Sequence, residues 1–313
     1  MQELAVIFNP EKITEVKLKR SLIKAGLKKP VFFPTDAATH GKGTTARAIA
    51  AGHRKFAVAG GDGTLREVAE AILESGQPCE LGILPIGTGN VLARNLKLPI
   101  NSLDAASRRV AKSSRYPVDI GFARVLKHDG TITEYYFTGI AGLGLDAKIM
   151  QQTTPERKRR VGWFAYVEGG FLSLPLKFEK FDVTVDDQEP RTLKSYSFLV
   201  GNAGWLPGQI SMMPDASLDD GRLDIAAIGP RGLWNWVDLL SRITWQNKIV
   251  RPLVLGRKLL DLTQNLKTIE NLHGARIRVR PHNPVSMQLD GDPIGEVLEV
   301  DFYVLPKALI LRV

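Results

Sequence analysis

Two stretches decide the fold: Phe56-Ala57-Val58-Ala59-Gly60-Gly61-Asp62-Gly63-Thr64-Leu65, and Leu81-Gly82-Ile83-Leu84-Pro85-Ile86-Gly87-Thr88-Gly89-Asn90. Each starts as a short apolar run of buried-strand type and breaks into glycine just ahead of a helical pattern, Leu65 to Glu74 in the first and Val91 to Asn95 in the second. Clustered glycines allow unusual backbone angles and close approach to a ligand, and a helix that starts there presents free N–H groups and partial positive charge. The pattern is that of a phosphate site. Asp62 sits within it, and a carboxylate beside phosphates is repulsive unless a cation bridges them, so Mg²⁺ is implied.

Outward from these turns, Leu4 to Phe8 and Val31 to Phe33 add further buried-strand runs, separated by helical stretches at Ile13 to Ala25 and Thr44 to Ala51. Alternating strands and helices predict an α/β domain with a mostly parallel sheet. Consecutive strands ending in glycine turns would place both turns along the carboxyl edge, where open sheets of this kind bind ligands, and two adjoining turns suit a nucleotide triphosphate. Neither is a P-loop nor a Gly-x-Gly-x-x-Gly dinucleotide fingerprint.

From about Val118 the period changes to two: Phe181, Val183 and Val185, then Ile277 and Val279, then Leu298, Val300, Phe302 and Val304 alternate with polar neighbours. A mainly antiparallel β-sandwich is expected there, interrupted by one aromatic-rich helix at Leu233 to Trp245. The domains are therefore 1–117 and 118–313, the last segment being a candidate to return to the first domain, with the active site in the cleft between them.

Composition excludes several classes. The 313 residues contain 44% hydrophobic and 24% charged residues, as in ordinary globular proteins. The single cysteine, Cys79, supports neither an intrachain disulfide nor a zinc-thiolate cluster and suits a reducing compartment. Met1 to Phe8 is a short apolar run containing Glu3, without a basic region ahead of it, and the uncharged stretch Ser195 to Pro214 is broken by Asn202, Pro207 and Gln209. Neither reads as a leader or a membrane span, so a cytoplasmic location is expected. A net charge of +9 favours anionic partners. Nucleic acid is not expected, because the basic residues are scattered apart from Arg157-Lys158-Arg159-Arg160.

Gly60-Gly61-Asp62-Gly63-Thr64-Leu65 followed by Leu84-Pro85-Ile86-Gly87-Thr88-Gly89-Asn90 resembles the catalytic domain of the diacylglycerol kinase and sphingosine kinase superfamily, especially its soluble bacterial lipid kinases. NAD kinases and phosphofructokinases share the first box; the pair of boxes is far more specific. The resemblance implies ATP and Mg²⁺, with transfer of a phosphoryl group to a lipid hydroxyl, most simply that of diacylglycerol. A sphingoid base, ceramide, phosphatidylglycerol or a polyprenol stays open as acceptor. An NAD kinase and a nucleotide-binding regulator without turnover are the alternatives of another kind.

Residue by residue, the resemblance puts Gly60, Gly61, Asp62, Gly63, Thr64, Leu65 and Arg66 around the phosphates and Gly87, Thr88, Gly89 and Asn90 in the second nucleotide turn. Thr39 falls at a nucleotide-contacting threonine, and Asp119 resembles a second active-site aspartate. Ser217, Asp220 and Arg222 match the segment that holds a structural Mg²⁺. Leu289-Asp290-Gly291-Asp292 stands where the family carries Asp-Gly-Glu, so the base is assigned to Asp292, one methylene shorter, with Asp290 holding it or a metal-bound water. Asn9-Pro10-Glu11-Lys12 also departs from the family, which has small residues and glycine there. Asn9 alone carries over, while Lys12 would bring a cation in place of the missing cradle. Arg157 to Arg160 beside Trp163, Phe164 and Tyr166, and a second group at Trp234, Trp236 and Trp245, are candidates for transient docking on an anionic membrane, peripheral at the inner face. The oligomeric state, a homodimer included, stays open.

Overall fold

The computed structural model describes residues 3–112, 114–144, 147, 178–207, 210–228 and 269–313. Its first half alternates strand and helix: β1 (Leu4–Phe8), α1 (Glu15–Lys24), β2 (Val31–Pro34), α2 (His40–Ala50), β3 (Lys55–Gly60), α3 (Asp62–Glu74), β4 (Glu80–Pro85), α4 (Val91–Asn95) and α5 (Leu103–Lys112). Successive strand side chains point to opposite faces. Ala5, Ile7, Phe56, Val58, Leu81 and Ile83 therefore pack with Ala48 of α2 and Leu65, Val68 and Ile72 of α3. Val6, Phe8, Ala57, Ala59 and Leu84 pack with Leu18 and Leu22 of α1 and Ala106 and Val110 of α5. The strands run parallel in the order β4-β3-β1-β2, covered on both faces.

Two helices begin earlier than the sequence pattern indicates, α2 at His40 instead of Thr44 and α3 at Asp62 instead of Leu65. Glycine lowers helix propensity, yet the first turn tolerates it when other groups fix the entry. For α2 the entry is fixed by Asp36, whose Oδ1 accepts from the amides of Ala38 and Thr39 and from the Thr39 hydroxyl.

The second half is built from β5 (Arg115–Lys127), β6 (Ile132–Phe137), β7 (Ile140–Gly144), β8 (Glu179–Val185), β9 (Arg191–Ser195), β10 (Ser197–Gly201), β11 (Trp205–Leu206), β12 (Ile210–Ser211), β13 (Leu223–Ile228), β14 (Ile269–Gly274), β15 (Arg276–Pro281), β16 (Val285–Leu289) and β17 (Asp292–Arg312). The pairings within this half are antiparallel. Phe181, Val183 and Val185 of β8 and Ile277 and Val279 of β15 face the core, where they meet Phe198, Phe302 and Val300. The alternation slips near the end: Val297, and not Leu298, is buried, because β17 bulges against β5 between Val297 and Glu299.

β17 joins the two domains. Its start pairs with β16, its middle with β15 and β5, and its end lies parallel to β4, with Ile310 opposite Glu80. One strand thus carries the second domain's framework into the first sheet, while β5 crosses the expected boundary after residue 117. No helix among the described residues is long and apolar enough to cross a membrane. The helix expected at Leu233 to Trp245 lies outside the described residues, as do Arg157 to Arg160 and the aromatics that follow them.

Candidate active site

β3 ends at Gly60 and β4 at Pro85, side by side in register. The second turn is stitched to the first: the amides of Ile86 and Gly87 both donate to the Gly60 carbonyl, at 3.0 and 3.2 Å. A Cβ on Gly87 would stand 2.5 Å from the Gly61 Cα, so the two backbones touch at a place where a side chain has no room. Asn90, at φ 50°, closes the second turn by accepting from the Gly87 amide and donating to its carbonyl.

Asp62 links both turns. Its carboxylate accepts from the amides of Asn90 at 2.7 Å and Val91 at 2.6 Å, the free N–H groups that open α4. Burial, then the charge of Asp290, push its pKa up to about 6 against the pull of those hydrogen bonds.

Leu289-Asp290-Gly291-Asp292 forms a tight hairpin between β16 and β17. Leu289 lies opposite Asp292, and Asp290 and Gly291 take φ values of 49° and 88°. Positive φ at both central residues is what an Asp-Gly two-residue hairpin turn supplies. Asp290 is spent on the framework: its carboxylate accepts from the amides of Thr138, Gly139 and Ile140 and from the Thr138 hydroxyl. Burial raises its pKa despite those bonds. Asp292, carried one residue beyond the turn, faces the first domain. Its Oδ2 accepts from Arg66 Nη2 at 2.9 Å, its side chain is 46% exposed, and a Cβ on Gly63 would stand only 2.9 Å from that oxygen.

A cavity of about 1100 Å³ opens between the domains and gathers Asn9, Gly61, Asp62, Gly63, Thr64, Gly87, Thr88, Gly89, Asp290 and Asp292 in its wall. Other residues singled out from sequence lie behind that wall. Gly60 and Leu65 are buried in strand end and helix, Arg66 reaches Asp292 instead of the open space, and Asn90 braces its own turn. Thr39 is the N-cap of α2, its hydroxyl engaged with Asp36 and Thr44, while its neighbours Asp36 and His40 line the cavity.

Asp119 is also outside the wall. It is 1% exposed, and its two carboxylate oxygens accept from the amides of Lys307 and Gly221. Lys307 sits in the β17 irregularity between Leu305 and Leu309, so Asp119 ties β5, that irregularity and the 217–222 turn together. In that turn the Ser217 hydroxyl donates to Asp219, and Asp220 accepts from the Arg222 amide. No group of three or more His, Cys, Asp or Glu side chains fit for a metal ion occurs among the described residues. A cation at Ser217, Asp220 and Arg222 would therefore depend on backbone carbonyls.

Glu67 and Gln288 also line the wall, with no motif in the sequence to mark them. Glu67 accepts from the Gly41 amide across 26 positions, and Thr138 meets Asp290 across 152, separations that carry no local signature. Asp36 did leave one, an acidic residue three positions ahead of the N-cap Thr39.

The donor set fits a nucleotide's phosphates. Paired turns rich in backbone N–H meet backbone against backbone at Gly61 and Gly87, and the cavity beyond them is open. The same cavity also has an apolar lining, from Val91, Ile140, Leu199, Leu206 and Pro207.

Residues 3–123 match the diacylglycerol kinase catalytic domain family, and residues 139–259 match the YegS C-terminal NAD kinase beta sandwich-like domain. The chain is 33% identical over 223 residues to the diacylglycerol kinase of Staphylococcus saprophyticus, covering 69% of each chain. It is 28% identical over 274 residues to that of Staphylococcus carnosus, covering 85% of each. A crystal structure of a diacylglycerol kinase from Bacillus anthracis str. Sterne superimposes with a TM-score of 0.72 at 19% identity, over 99% of this chain and 96% of that one.

Proposed function

Because this chain belongs to the diacylglycerol kinase family and is a lipid kinase, we propose that it transfers the γ-phosphoryl group of ATP to the free hydroxyl of diacylglycerol, giving phosphatidic acid and ADP. The observation that carries this reading is the meeting of Asp292 with Gly63, an acid of the second domain set against the phosphate-ready turn of the first.

Phosphoryl transfer asks little covalent chemistry of a protein and much positioning. The amides at the start of α3 and those of Thr88 and Gly89 in the second glycine turn hold the phosphates, and the stitched backbone keeps those donors fixed before substrate arrives. Asp292 takes the hydroxyl proton as that oxygen bonds to phosphorus and the bond to ADP breaks. Arg66 holds the Asp292 carboxylate in place through its 2.9 Å ion pair, offsetting the reach lost with the shorter side chain. Mg²⁺, when bound, neutralises charge on the phosphates. The apolar part of the wall, from Val91 to Leu199 and Leu206, takes the acyl part of the acceptor and excludes water from its hydroxyl.

The lipid arrives from a membrane, so the protein works as a peripheral enzyme at the inner face of the cytoplasmic membrane. Its net charge of +9 favours an anionic leaflet. The test is incubation with radiolabelled ATP and a total lipid extract, the product being identified by mass. Labelled phosphatidic acid supports the reading. A labelled sphingoid base, ceramide, phosphatidylglycerol or polyprenol reassigns the acceptor, and labelled NADP from a parallel incubation with NAD refutes lipid phosphorylation.

A further inference from the structure

The cavity wall carries an unbalanced charge. Glu11, Asp36, Asp62, Glu67, Asp290 and Asp292 all line it, and Lys12 is the one Lys or Arg among its described lining residues. A polyphosphate brought into such a wall meets net repulsion unless fixed cations oppose it. Lys42 on α2 is committed to Glu70 and Glu74, and Arg66 on α3 to Asp292. Lys12 forms no ion pair with any described residue.

The position of Lys12 is built, not incidental. The Asn9 side chain accepts from the Glu11 amide at 2.9 Å, the Asn9 carbonyl accepts from the amides of Lys12 and Ile13, and Ile13 is buried in the core beneath α1. This turn delivers the Lys12 Nζ to 3.6 Å from where a Cβ on Gly61 would stand, beside the residue that caps α3. An ammonium group thus stands where the first glycine turn opens to the cavity.

Resting on the nucleotide reading above, we propose that Lys12 is the cation this chain itself supplies to the nucleotide's phosphate chain. It replaces by charge what a glycine cradle after Asn9-Pro10 would supply by backbone N–H groups. A charge-assisted hydrogen bond of this kind sets affinity for phosphates and leaves the base and ribose unaffected.

The test is calorimetric titration of the full chain, as wild type, K12Q and K12R, with ATP, ADP and adenosine. K12Q is expected to weaken ATP binding by roughly 10-fold to 100-fold, with ADP weakened and adenosine unchanged. K12R is expected to recover most of the ATP affinity. Equal ATP affinity in K12Q and wild type overturns the assignment, and so does a parallel loss of ATP and adenosine, which would mean a damaged site. A wild-type chain that binds adenosine and ATP equally, or neither, overturns the nucleotide reading itself and is told apart because it needs no variant.

Discussion

Gly63→Ala separates the chemistry of this site from its stability. Gly63 lies in the first turn of α3 and has no positive φ, so alanine fits the backbone there. Replacing a helical glycine with alanine stabilises by about 0.5–1 kcal/mol. The new Cβ would stand 2.9 Å from Asp292 Oδ2 and 3.5 Å from Oδ1, and ordinary contact begins at 3.4 Å. The Asp292 carboxylate therefore has to retreat by about half an ångström, at little energetic expense, since it is the half-exposed end of a flexible side chain. A 1 Å misplacement of a reacting group lowers rate by about 10²-fold, so half of that predicts roughly a 10-fold loss. Melting temperature and kcat measured on the same preparation should thus move in opposite directions, the first up by about 2 °C. Undiminished kcat in Gly63→Ala would refute the claim that Asp292 works from its observed place, and a large drop in melting temperature would show that the alanine strikes something less yielding than a carboxylate.

Gly87→Ala should behave differently, because its Cβ would meet the Gly61 backbone at 2.5 Å. Neither turn can give way, so a stability loss of about 1–3 kcal/mol in urea denaturation and weakened ATP binding are expected together. Asp119→Ala takes the buried acceptor away from the amides of Gly221 and Lys307, predicting a loss of about 1–3 kcal/mol with near-normal kcat per folded molecule at low temperature; a stable but inactive variant would return Asp119 to the reacting centre. Asp62 has a folded pKa raised to about 6, so its ionisation opposes folding: its contribution to stability is fully present below about pH 4 and declines as pH rises to about 6. Melting curves across that window should show a downward component that Asp62→Asn removes; an identical pH profile in both proteins would show that Asp62 ionises freely.

The glycine turns were legible because glycine ahead of a helix has few uses other than close backbone approach, and each motif lies within a single strand-turn-helix unit. The Asp290-Gly291 hairpin was legible for the same local reason. The second task of Asp62, holding the Asn90 and Val91 amides, was hidden, since a sequence does not say which free helix N–H groups a carboxylate will meet. Arg66 pointed to phosphates by proximity in the motif, yet it turns to Asp292, 226 positions away. Asp119 illustrates the same limit: an aspartate at a domain junction serves as well for stapling a strand irregularity as for catalysis, and only the pairing of β5 with β17 separates the two. Strict alternation turns Leu298 inward, and a single bulge reverses it.

In the proposed mechanism an acid delivered by the second domain's hairpin acts on a hydroxyl at the first domain's glycine turns. Asp292→Ala isolates that step when ATP affinity and lipid phosphorylation are measured side by side. ATP binding close to that of the wild type, with turnover lowered by roughly 10²-fold or more, is the predicted result; unchanged turnover would contradict it.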